Sequence, residues 1–360
     1  GFAVGEGEGE CVRLPHTVKE IPQHYADSQS YQMVCGFART ELMSGVTTIR
    51  TVGGLVDFDT RLRDEIAAGR RVGPRIPAAN EGISVPGGHM AGSVAVAAHS
   101  IPEALAQLDA AEAQGVDLIK LMITGGVLDA KEKGVPGELK MPPEMVKAVC
   151  DRAHSLGYPV AAHVESPQGV RVALEGGVDT IEHGAAPDEE ILRLFKERHA
   201  CHIATISPAL PYAMFDRSVT GASETEQYNG RLVMDGIINC AKACLKNGIP
   251  VGLGTDTGCP YITHYDMWRE VYYFHKLCNV SNAFALHTAT LGNARLVGLG
   301  EETGSLEPGK CADLVVTGGN PLEDLKALRH MDLVMARGNL YRSPKVKKME
   351  KAERELDKFL

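Results

Sequence analysis

The sequence predicts an α/β protein: a (β/α)8 barrel of the TIM type, followed by a small β-rich appendage. From about residue 36, helix-like and strand-like stretches alternate with short loops between them, a pattern that favours parallel βαβ units over a sandwich. Gly115, Gly157, Gly177 and Gly248 each precede a strand-like run, as expected of helix C-terminal caps. The 360 residues suffice for one barrel of roughly 250 residues plus a small additional unit.

Seven apolar runs are predicted to be barrel strands, and amphipathic stretches such as 101–114 and 142–155 are predicted to be helices between them. A closed barrel needs an eighth strand. Residues 1–35 are polar and rich in glycine and predict a loop, so the first strand of the barrel is missing or atypical. The predicted strands are 47–52, 75–79, 118–123, 159–163, 180–183, 202–206 and 251–255.

The pattern changes after residue 286. Residues 287–296 predict a short helix, and the strand-like runs 312–317 and 333–337 follow a turn-rich stretch. The charged residues 346–360, with their sparse apolar stripe, predict an exposed helix docked on one face. We therefore expect a barrel over residues 1–297 and, over 298–360, the remnant of a small β-sandwich with a C-terminal helix.

The composition is that of an ordinary globular protein, with 44% hydrophobic and 23% charged residues. The net charge of −9 is spread along the chain, so a nucleic acid is not predicted as a partner. A membrane is not predicted as a partner either, because no apolar run approaches the ~18 residues of a span. The nine cysteines form no C-x-x-C pair and fall mostly in apolar segments, which predicts free thiols and a cytoplasmic protein. Secretion stays open, because the chain begins with Gly1 and an N-terminal segment could have been removed.

Reactive residues of a parallel barrel sit at the C-terminal ends of its strands. Lys120 lies in D-L-I-K-L-M, among apolar residues where an ammonium group is costly unless it is paired or chemically altered. Two interpretations stay open at this point. Lys120 either forms a salt bridge with a carboxylate of the barrel or is carboxylated by CO2, which would allow it to bridge two metal ions.

Two histidines and an aspartate follow at later strand ends. His163 ends one predicted strand and His183 ends the next, so two imidazoles, the commonest nitrogen ligands of divalent transition metals, are predicted to lie side by side. Asp256 directly follows the last predicted strand, in V-G-L-G-T-D-T-G. A carboxylate there can bind a metal ion and accept a proton from water, or it can cap the following helix.

The order lysine, histidine, histidine, aspartate resembles the amidohydrolase superfamily. Further motifs spanning residues 37 to 340 are similar to its imidazolonepropionase-like branch, which includes dipeptidases and carboxypeptidases that act on Xaa-Pro and Xaa-Arg/Lys substrates. These motifs are S-V-P-G-G-H at 84–89, K-L-M-I-T-G-G-V at 120–127, G-V-D-T-I-E-H-G at 177–184 and G-S-L-E-P-G-K-C-A-D-L-V-V at 304–316.

The resemblance implies roles for six residues. Lys120 would be the carboxylated bridge between metal ions, His163 and His183 ligands of the second metal, and Asp256 both ligand and catalytic base. His89 would contact the substrate, and Tyr212, in the loop after the predicted strand 202–206, would polarise the scissile carbonyl. The resemblance also implies one or two divalent metal ions, with zinc as the first candidate. It further implies a small-molecule substrate and a homo-oligomeric state.

One expected motif is absent. Amidohydrolases open the barrel with a strand ending in H-x-H, whose two histidines share one strand face, and these 360 residues contain no H-x-H. The N-terminal segment is missing from the chain, or the protein holds at most one metal ion, or it is a noncatalytic relative, and we favour the first explanation. His16 and His24 lie in a polar stretch with seven residues between them and are not expected to substitute.

The function predicted from the sequence is metal-dependent hydrolysis of an amide or peptide-like C–N bond by metal-activated water, in the manner of a dipeptidase or carboxypeptidase acting on small carboxylate-bearing substrates. Two alternatives stay open. The chain could be a noncatalytic or truncated barrel that binds a small ligand, or it could hydrolyse a cyclic amide or a lactone at the same site.

Overall fold

The structure is a computed structural model that describes residues 27–360. Its helices are α1 (Asp27–Met43), α2 (Phe58–Ala67), α3 (Ile101–Ala113), α4 (Pro143–Ser155), α5 (Pro167–Gly176), α6 (Glu189–Arg198), α7 (Ile206–Met214), α8 (Arg217–Thr220), α9 (Glu224–Lys246), α10 (Met267–Cys278), α11 (Asn282–His287), α12 (Asn293–Leu296) and α13 (Glu350–Leu356). Its strands are β1 (Gly82–Ser84), β2 (Ala95–Ala97), β3 (Ile119–Met122), β4 (Val160–Val164), β5 (Thr180–His183), β6 (Cys201–Ala204), β7 (Val251–Leu253), β8 (Leu314–Thr317), β9 (Met331–Ala336) and β10 (Asn339–Arg342).

A parallel sheet of seven strands, in the order β2-β1-β3-β4-β5-β6-β7, forms the centre of the molecule. Every residue of β3, β4, β5 and β6 is buried, as expected of parallel strands that are covered on both faces. Helices α4, α5 and α6 pack in sequence beside these strands and share one large apolar core with them. The predicted α/β class is confirmed.

Five of the seven predicted strands coincide with β3 to β7, and Thr180–His183 has the predicted bounds. The predicted strands 47–52 and 75–79 form an extended pair, with one isolated parallel bridge from Thr48 to Arg75. Ile49 N donates to Arg75 O at 2.9 Å and Thr51 N to Pro77 O at 3.0 Å. The pair is therefore hydrogen-bonded without being regular strand.

The predicted helix caps are confirmed. Gly115, Gly157, Gly177 and Gly248 all have a positive φ, between 69° and 102°, and each follows a helix and precedes a strand or extended run. Glycine adopts this left-handed conformation without the steric cost of a Cβ atom.

The C-terminal residues form a three-stranded antiparallel sheet in the order β10-β9-β8. Leu42 and Met43 of α1 pack against Val334 and Ala336 of β9 and bury one face of this sheet. The C-terminal helix α13 is docked as predicted, but it is not simply exposed, since Ala352, Glu355 and Leu356 are buried. Arg269 of α10 joins it through ion pairs to Glu353 at 3.0 Å and Asp357 at 2.7 Å.

A seam separates β7 from the extended segment 47–52. Within residues 27–360 no backbone ladder joins the two, and a cavity of about 330 Å³ lies there, lined by both and by α10 to α12. The side chain of Asn293 takes the place of a neighbouring strand for β7: its Oδ1 accepts from Leu253 N and its Nδ2 donates to Leu253 O, both at 2.9 Å. The predicted loop 1–35 stands where the first barrel strand was expected. Most of it, including His16 and His24, lies outside the described part of the chain.

None of the helices in residues 27–360 is long and apolar enough to cross a membrane. The eight cysteines in this part of the chain are all free thiols, and six of them are buried, in agreement with the prediction.

Candidate metal and catalytic site

Lys120 lies in the middle of β3 and is only 3% exposed. Burial lowers the pKa of its amine to about 8, against the opposing attraction of Glu182 and Asp256. Among the described residues no carboxylate lies within ion-pair distance of Lys120, so the salt-bridge interpretation is not realised here. Only the neutral amine can attack CO2, and this pKa leaves a larger neutral fraction at neutral pH than an ordinary lysine has.

The parallel ladder brings the predicted histidines together. β3, β4 and β5 are neighbours; His163 is the next-to-last residue of β4, His183 is the last residue of β5, and their ring centroids are 4.8 Å apart. His89 stacks flat on His163, with centroids 3.9 Å apart and planes 4° from parallel. Three histidines that are far apart in the sequence therefore form one cluster at the carboxyl edge of the sheet.

Each strand-end histidine is held neutral with one ring nitrogen engaged. Burial, with the adjacent His89 and His183, lowers the pKa of His163 well below its ordinary value, and burial lowers that of His183 to about 4. His163 Nε2 lies 3.2 Å from the carbonyl of Gly125, which can only accept, so Nε2 carries the proton and Nδ1 keeps its lone pair. His183 Nδ1 is engaged by Thr205 Oγ1 at 2.6 Å, which leaves Nε2 for another partner.

Asp256 follows β7 and lies in the same cavity as Lys120 and His183. Burial alone would raise the pKa of its carboxyl, but His183 and Lys120 outweigh burial and hold it below its ordinary value. Its backbone is left-handed, with a φ of 50°, and so is that of His183, with a φ of 67°. Such conformations are uncommon outside glycine and are concentrated at functional sites.

Glu165 belongs to the cluster but was not predicted from the sequence. One ligand atom each from His163, Glu165 and His183 lie within 4.8 Å of one another. Burial, reinforced by Asp256, raises the pKa of Glu165 to about 8, and its Oε2 accepts from Val127 N at 3.1 Å. The signal was present in the sequence: in His163-Val164-Glu165, as in H-x-H, period-2 alternation puts the outer two side chains on the same face.

The other two predicted residues lie on different elements. His89 is in the loop after β1, where its Nδ1 lies 2.5 Å from Asp129 Oδ2. The structure brings it onto His163 as described. Tyr212 lies on α7, the helix that follows β6, instead of in the predicted loop, and packs so closely on α9 that a Cβ at Gly230 would meet Tyr212 Cβ at 2.8 Å.

A second unpredicted group lies beneath the histidines. Arg50, from the extended segment 47–52, donates from Nη2 to Glu182 Oε1 at 2.6 Å and from Nη1 to Thr180 Oγ1 at 3.0 Å. Thr180 also donates to Glu182 at 2.7 Å, and these partners hold the pKa of Glu182 low despite its burial. An Arg–Glu pair 132 residues apart in the chain offers no local sequence signal.

The donor set fits a divalent metal ion. Two neutral imidazoles, each oriented by a hydrogen bond at its other nitrogen, and a neighbouring carboxylate are the ligands and supporting contacts typical of zinc. Ligand atoms that share one tetrahedral zinc ion at about 2.0–2.1 Å are about 3.4 Å apart. The ligand atoms of His163, Glu165 and His183 lie within 4.8 Å of one another, so binding requires their side chains to move closer together.

A parallel α/β sheet that carries imidazoles and carboxylates at its carboxyl edge is suited to metal-assisted catalysis, and sequence comparison identifies the family. The Amidohydrolase family profile matches residues 9–341, and the chain belongs to this family. The predicted membership is confirmed, and shorter stretches also match imidazolonepropionases.

Two solved structures are similar over most of their length. A candidate prolidase from Bifidobacterium longum is 39% identical, with a TM-score of 0.85, over 91% of this chain and 81% of that one. A Xaa-Pro dipeptidase with methionine in its active site is 30% identical, with a TM-score of 0.80, over 89% of this chain and 81% of that one. Ochratoxinase from Aspergillus niger is 26% identical over 235 residues, 64% of this chain and 47% of its own. The chain thus spans about half the length of the curated relatives that it matches first.

Proposed function

We propose that the protein is a metal-dependent hydrolase that cleaves the C–N bond of small carboxylate-bearing amides, with Xaa-Pro dipeptides as the first substrate class. The observation that carries the proposal is the cluster of His163, Glu165 and His183 beside Asp256, all at the carboxyl edge of the sheet. The similarity to a Xaa-Pro dipeptidase over 89% of this chain supports the substrate class.

His163 and His183 would hold a divalent metal ion, zinc first, with Glu165 or Asp256 as the carboxylate ligand. When bound, the ion supplies the Lewis acidity that activates water and polarises a carbonyl group. Because its pKa is held below the ordinary value, Asp256 is ionised at neutral pH and can accept the proton that water loses. His89, stacked on His163 and oriented by Asp129, faces the same cluster and can position the substrate.

Lys120 could extend the site to a second metal ion. Its neutral amine would attack CO2, forming an N–C bond and releasing the amine proton, and the resulting carbamate would offer anionic oxygen ligands in the cavity. The buried amine with its pKa of about 8 supports this reaction. The proposal also includes Tyr212 as the group that polarises the scissile carbonyl, a homo-oligomeric state and a cytoplasmic location.

The test is a screen of Xaa-Pro dipeptides, N-acyl amino acids, cyclic amides and lactones with the zinc-reconstituted protein, the chelated protein and the His183→Ala variant. Turnover of dipeptides by the reconstituted protein alone supports the proposal. Turnover that survives chelation, or is unchanged in His183→Ala, would contradict the metal-dependent mechanism. Turnover of lactones but not dipeptides would retain the mechanism and replace the substrate class. The exposed His99 supplies a matched control variant, His99→Ala.

A further inference from the structure

A second cluster of potential metal ligands lies between β6 and α9, on the other side of the sheet from the cavity. Ile203 and Thr205 line the cavity. Because successive side chains of a strand point to opposite faces of the sheet, His202 of β6 points away from the cavity, towards the helix layer. His202 is fully buried and packs under α9. It therefore takes no direct part in the site at the strand ends.

Cys240 and Cys244 of α9 face His202. They are four residues apart and so lie on the same face of the helix, and both are fully buried free thiols. One ring nitrogen of His202 and the two Sγ atoms lie within 4.8 Å of one another. Two sulfur atoms and one imidazole nitrogen at this separation are three ligands of the type that soft and borderline cations prefer.

The hydrogen bonding of His202 leaves one nitrogen available. Its Nε2 lies 2.6 Å from the carbonyl oxygen of His183, which only accepts, so Nε2 carries the proton. Its Nδ1 is buried and accepts from no donor within residues 27–360. A buried polar atom without a partner destabilises the fold, and a metal ion bound through Nδ1 would remove that penalty.

We propose that His202, Cys240 and Cys244 bind a zinc ion, at a site distinct from the one at the strand ends. Binding replaces two S–H bonds by two Zn–S bonds and releases two protons to solvent. The charges then balance: one Zn²⁺, two thiolates and a neutral imidazole sum to zero, as burial in an apolar layer favours. Cu⁺ with the same ligands would leave a net negative charge.

Such an ion would also orient His183. It would fix the ring of His202, whose Nε2–H holds the backbone carbonyl of His183 at the point where that residue adopts its left-handed conformation. The proposed zinc would thus be a structural support beneath a strand end of the proposed active site. Its existence does not depend on the proposed function, because its ligands are separate.

The test uses Co²⁺ in place of zinc, introduced by expressing the full chain in cobalt-supplemented medium. Cobalt bound by thiolate gives a strong charge-transfer absorption in the near ultraviolet, whereas cobalt bound only by nitrogen and oxygen does not. We expect this absorption in the wild-type protein, with about one equivalent of thiolate-bound metal. We expect its loss in Cys240→Ala/Cys244→Ala.

Two control variants make the result specific. Cys259 lies at the strand-end site, with Sγ 3.7 Å from Asp256 Oδ2, so a thiolate signal from that site would disappear in Cys259→Ala. Cys150 is a fully buried thiol of α4 and controls for loss of a buried sulfur atom. The absorption should persist in Cys259→Ala and in Cys150→Ala. Its absence from the wild-type protein, its survival in the double variant, or its loss in Cys259→Ala would overturn the proposal.

Absence of the absorption from the wild-type protein would overturn the proposal whatever the stability of any variant, whereas the assignment of a positive spectrum to Cys240 and Cys244 rests on the variants. The outcome is also independent of turnover: a protein that shows the absorption but hydrolyses no substrate would retain this site and lose the proposed function. A protein that hydrolyses its substrate but shows no absorption would retain the proposed function, and the zinc site would be rejected.

Discussion

The two halves of the central sheet position their residues by different means. In the ladder half, β3 to β6, each strand has four or five residues and is bonded to its neighbours in continuous parallel register. In the seam half, β7 has three residues, and the segments 47–52 and 75–79 share one isolated bridge. Lys120, His163 and His183 lie in the ladder half, whereas Asp256 follows β7 at the seam.

The two halves fix the side chains of the site through different interactions. Backbone ladders hold the three ladder-half residues, so their positions follow from strand order. At the seam, side chains replace the missing backbone partners: Asn293 bonds to Leu253, and Arg50 reaches from the seam to Glu182 in the ladder half. Because side chains make these connections at the seam, the substitution of a single side chain should disturb the seam half strongly.

The largest expected effect is at the seam, where Asp256 is the proposed catalytic base. Asp256→Asn keeps the shape of the side chain but cannot accept a proton, so kcat/KM should fall by about 10² to 10⁴-fold. Steady-state kinetics on the dipeptide with the highest turnover measures this. Asp151→Asn, an exposed residue of α4, is the control. Equal turnover of Asp256→Asn and wild type would remove Asp256 from the mechanism.

The Arg50–Glu182 pair joins the two halves, and its loss should destabilise the protein. Arg50→Met leaves Glu182 buried and without its ion-pair partner, so the free energy of unfolding should fall by about 3 kcal/mol, as measured by denaturant titration. Arg171→Met removes exposed ion pairs to Asp188 and Glu190 and should cost about 1 kcal/mol or less. Similar losses in the two variants would contradict a special role for the buried pair.

Glu270 of α10 packs against the start of α7, directly after β6 of the ladder half, and the titration of its carboxyl group should be visible in the free energy of unfolding. Glu270 accepts from Ile206 N at 2.9 Å and from Ser207 N at 2.7 Å, but burial outweighs these bonds and raises its pKa from 4.5 to about 7. Between these values the folded state holds a proton that the unfolded state has lost, so stability should fall as pH rises from about 4.5 to 7.

This pH effect can be isolated by substitution. Glu270→Gln does not titrate, so the stability of wild type minus that of the variant should fall by up to about 3 kcal/mol between pH 5 and pH 8. Glu144→Gln, on the surface of α4, is the control and should give a difference that is nearly constant with pH. A constant difference for Glu270→Gln as well would show that the burial of Glu270 does not raise its pKa.

The smallest of these effects is expected at Glu165, at the edge of the ladder half. Glu165→Gln retains an acceptor for Val127 N but weakens any metal contact, so the affinity for zinc should fall by about 10 to 100-fold in a competition titration with a chelator. Unchanged affinity would assign the carboxylate role to Asp256 alone.

The sequence predicted the ladder half better than the seam half, for physical reasons. Long apolar runs with glycine-terminated helices between them specify strands such as Thr180–His183, whereas β1 and β2 have three residues each and contain Gly82, Ser84 and alanines, which carry no strand signal. The α/β class, the β-rich C-terminal sheet and the proximity of His163 and His183 follow from the predicted strands, whereas His89 follows the unpredicted β1 and was implied only by the resemblance. The seam depends on contacts between distant residues.

The candidate site was likewise predictable where it depended on strand ends. Glu165 could have been found by the alternation rule that defines H-x-H. In contrast, Arg50 acts on a residue 132 positions away, and Tyr212 lies on a helix where a loop was expected, because Glu270 accepts from the first amides of α7 and helps that helix to begin directly after β6.

Anomalous diffraction from crystals of the zinc-reconstituted protein, collected at the zinc absorption edge, tests the metal site most directly. We predict a peak at about 2.0–2.1 Å from one nitrogen of His163 and one of His183, with a carboxylate of Glu165 or Asp256 as a further ligand. A map without a peak beside these two histidines, from crystals of protein that hydrolyses its substrate, would contradict a metal ion at the strand ends as the centre of the reaction.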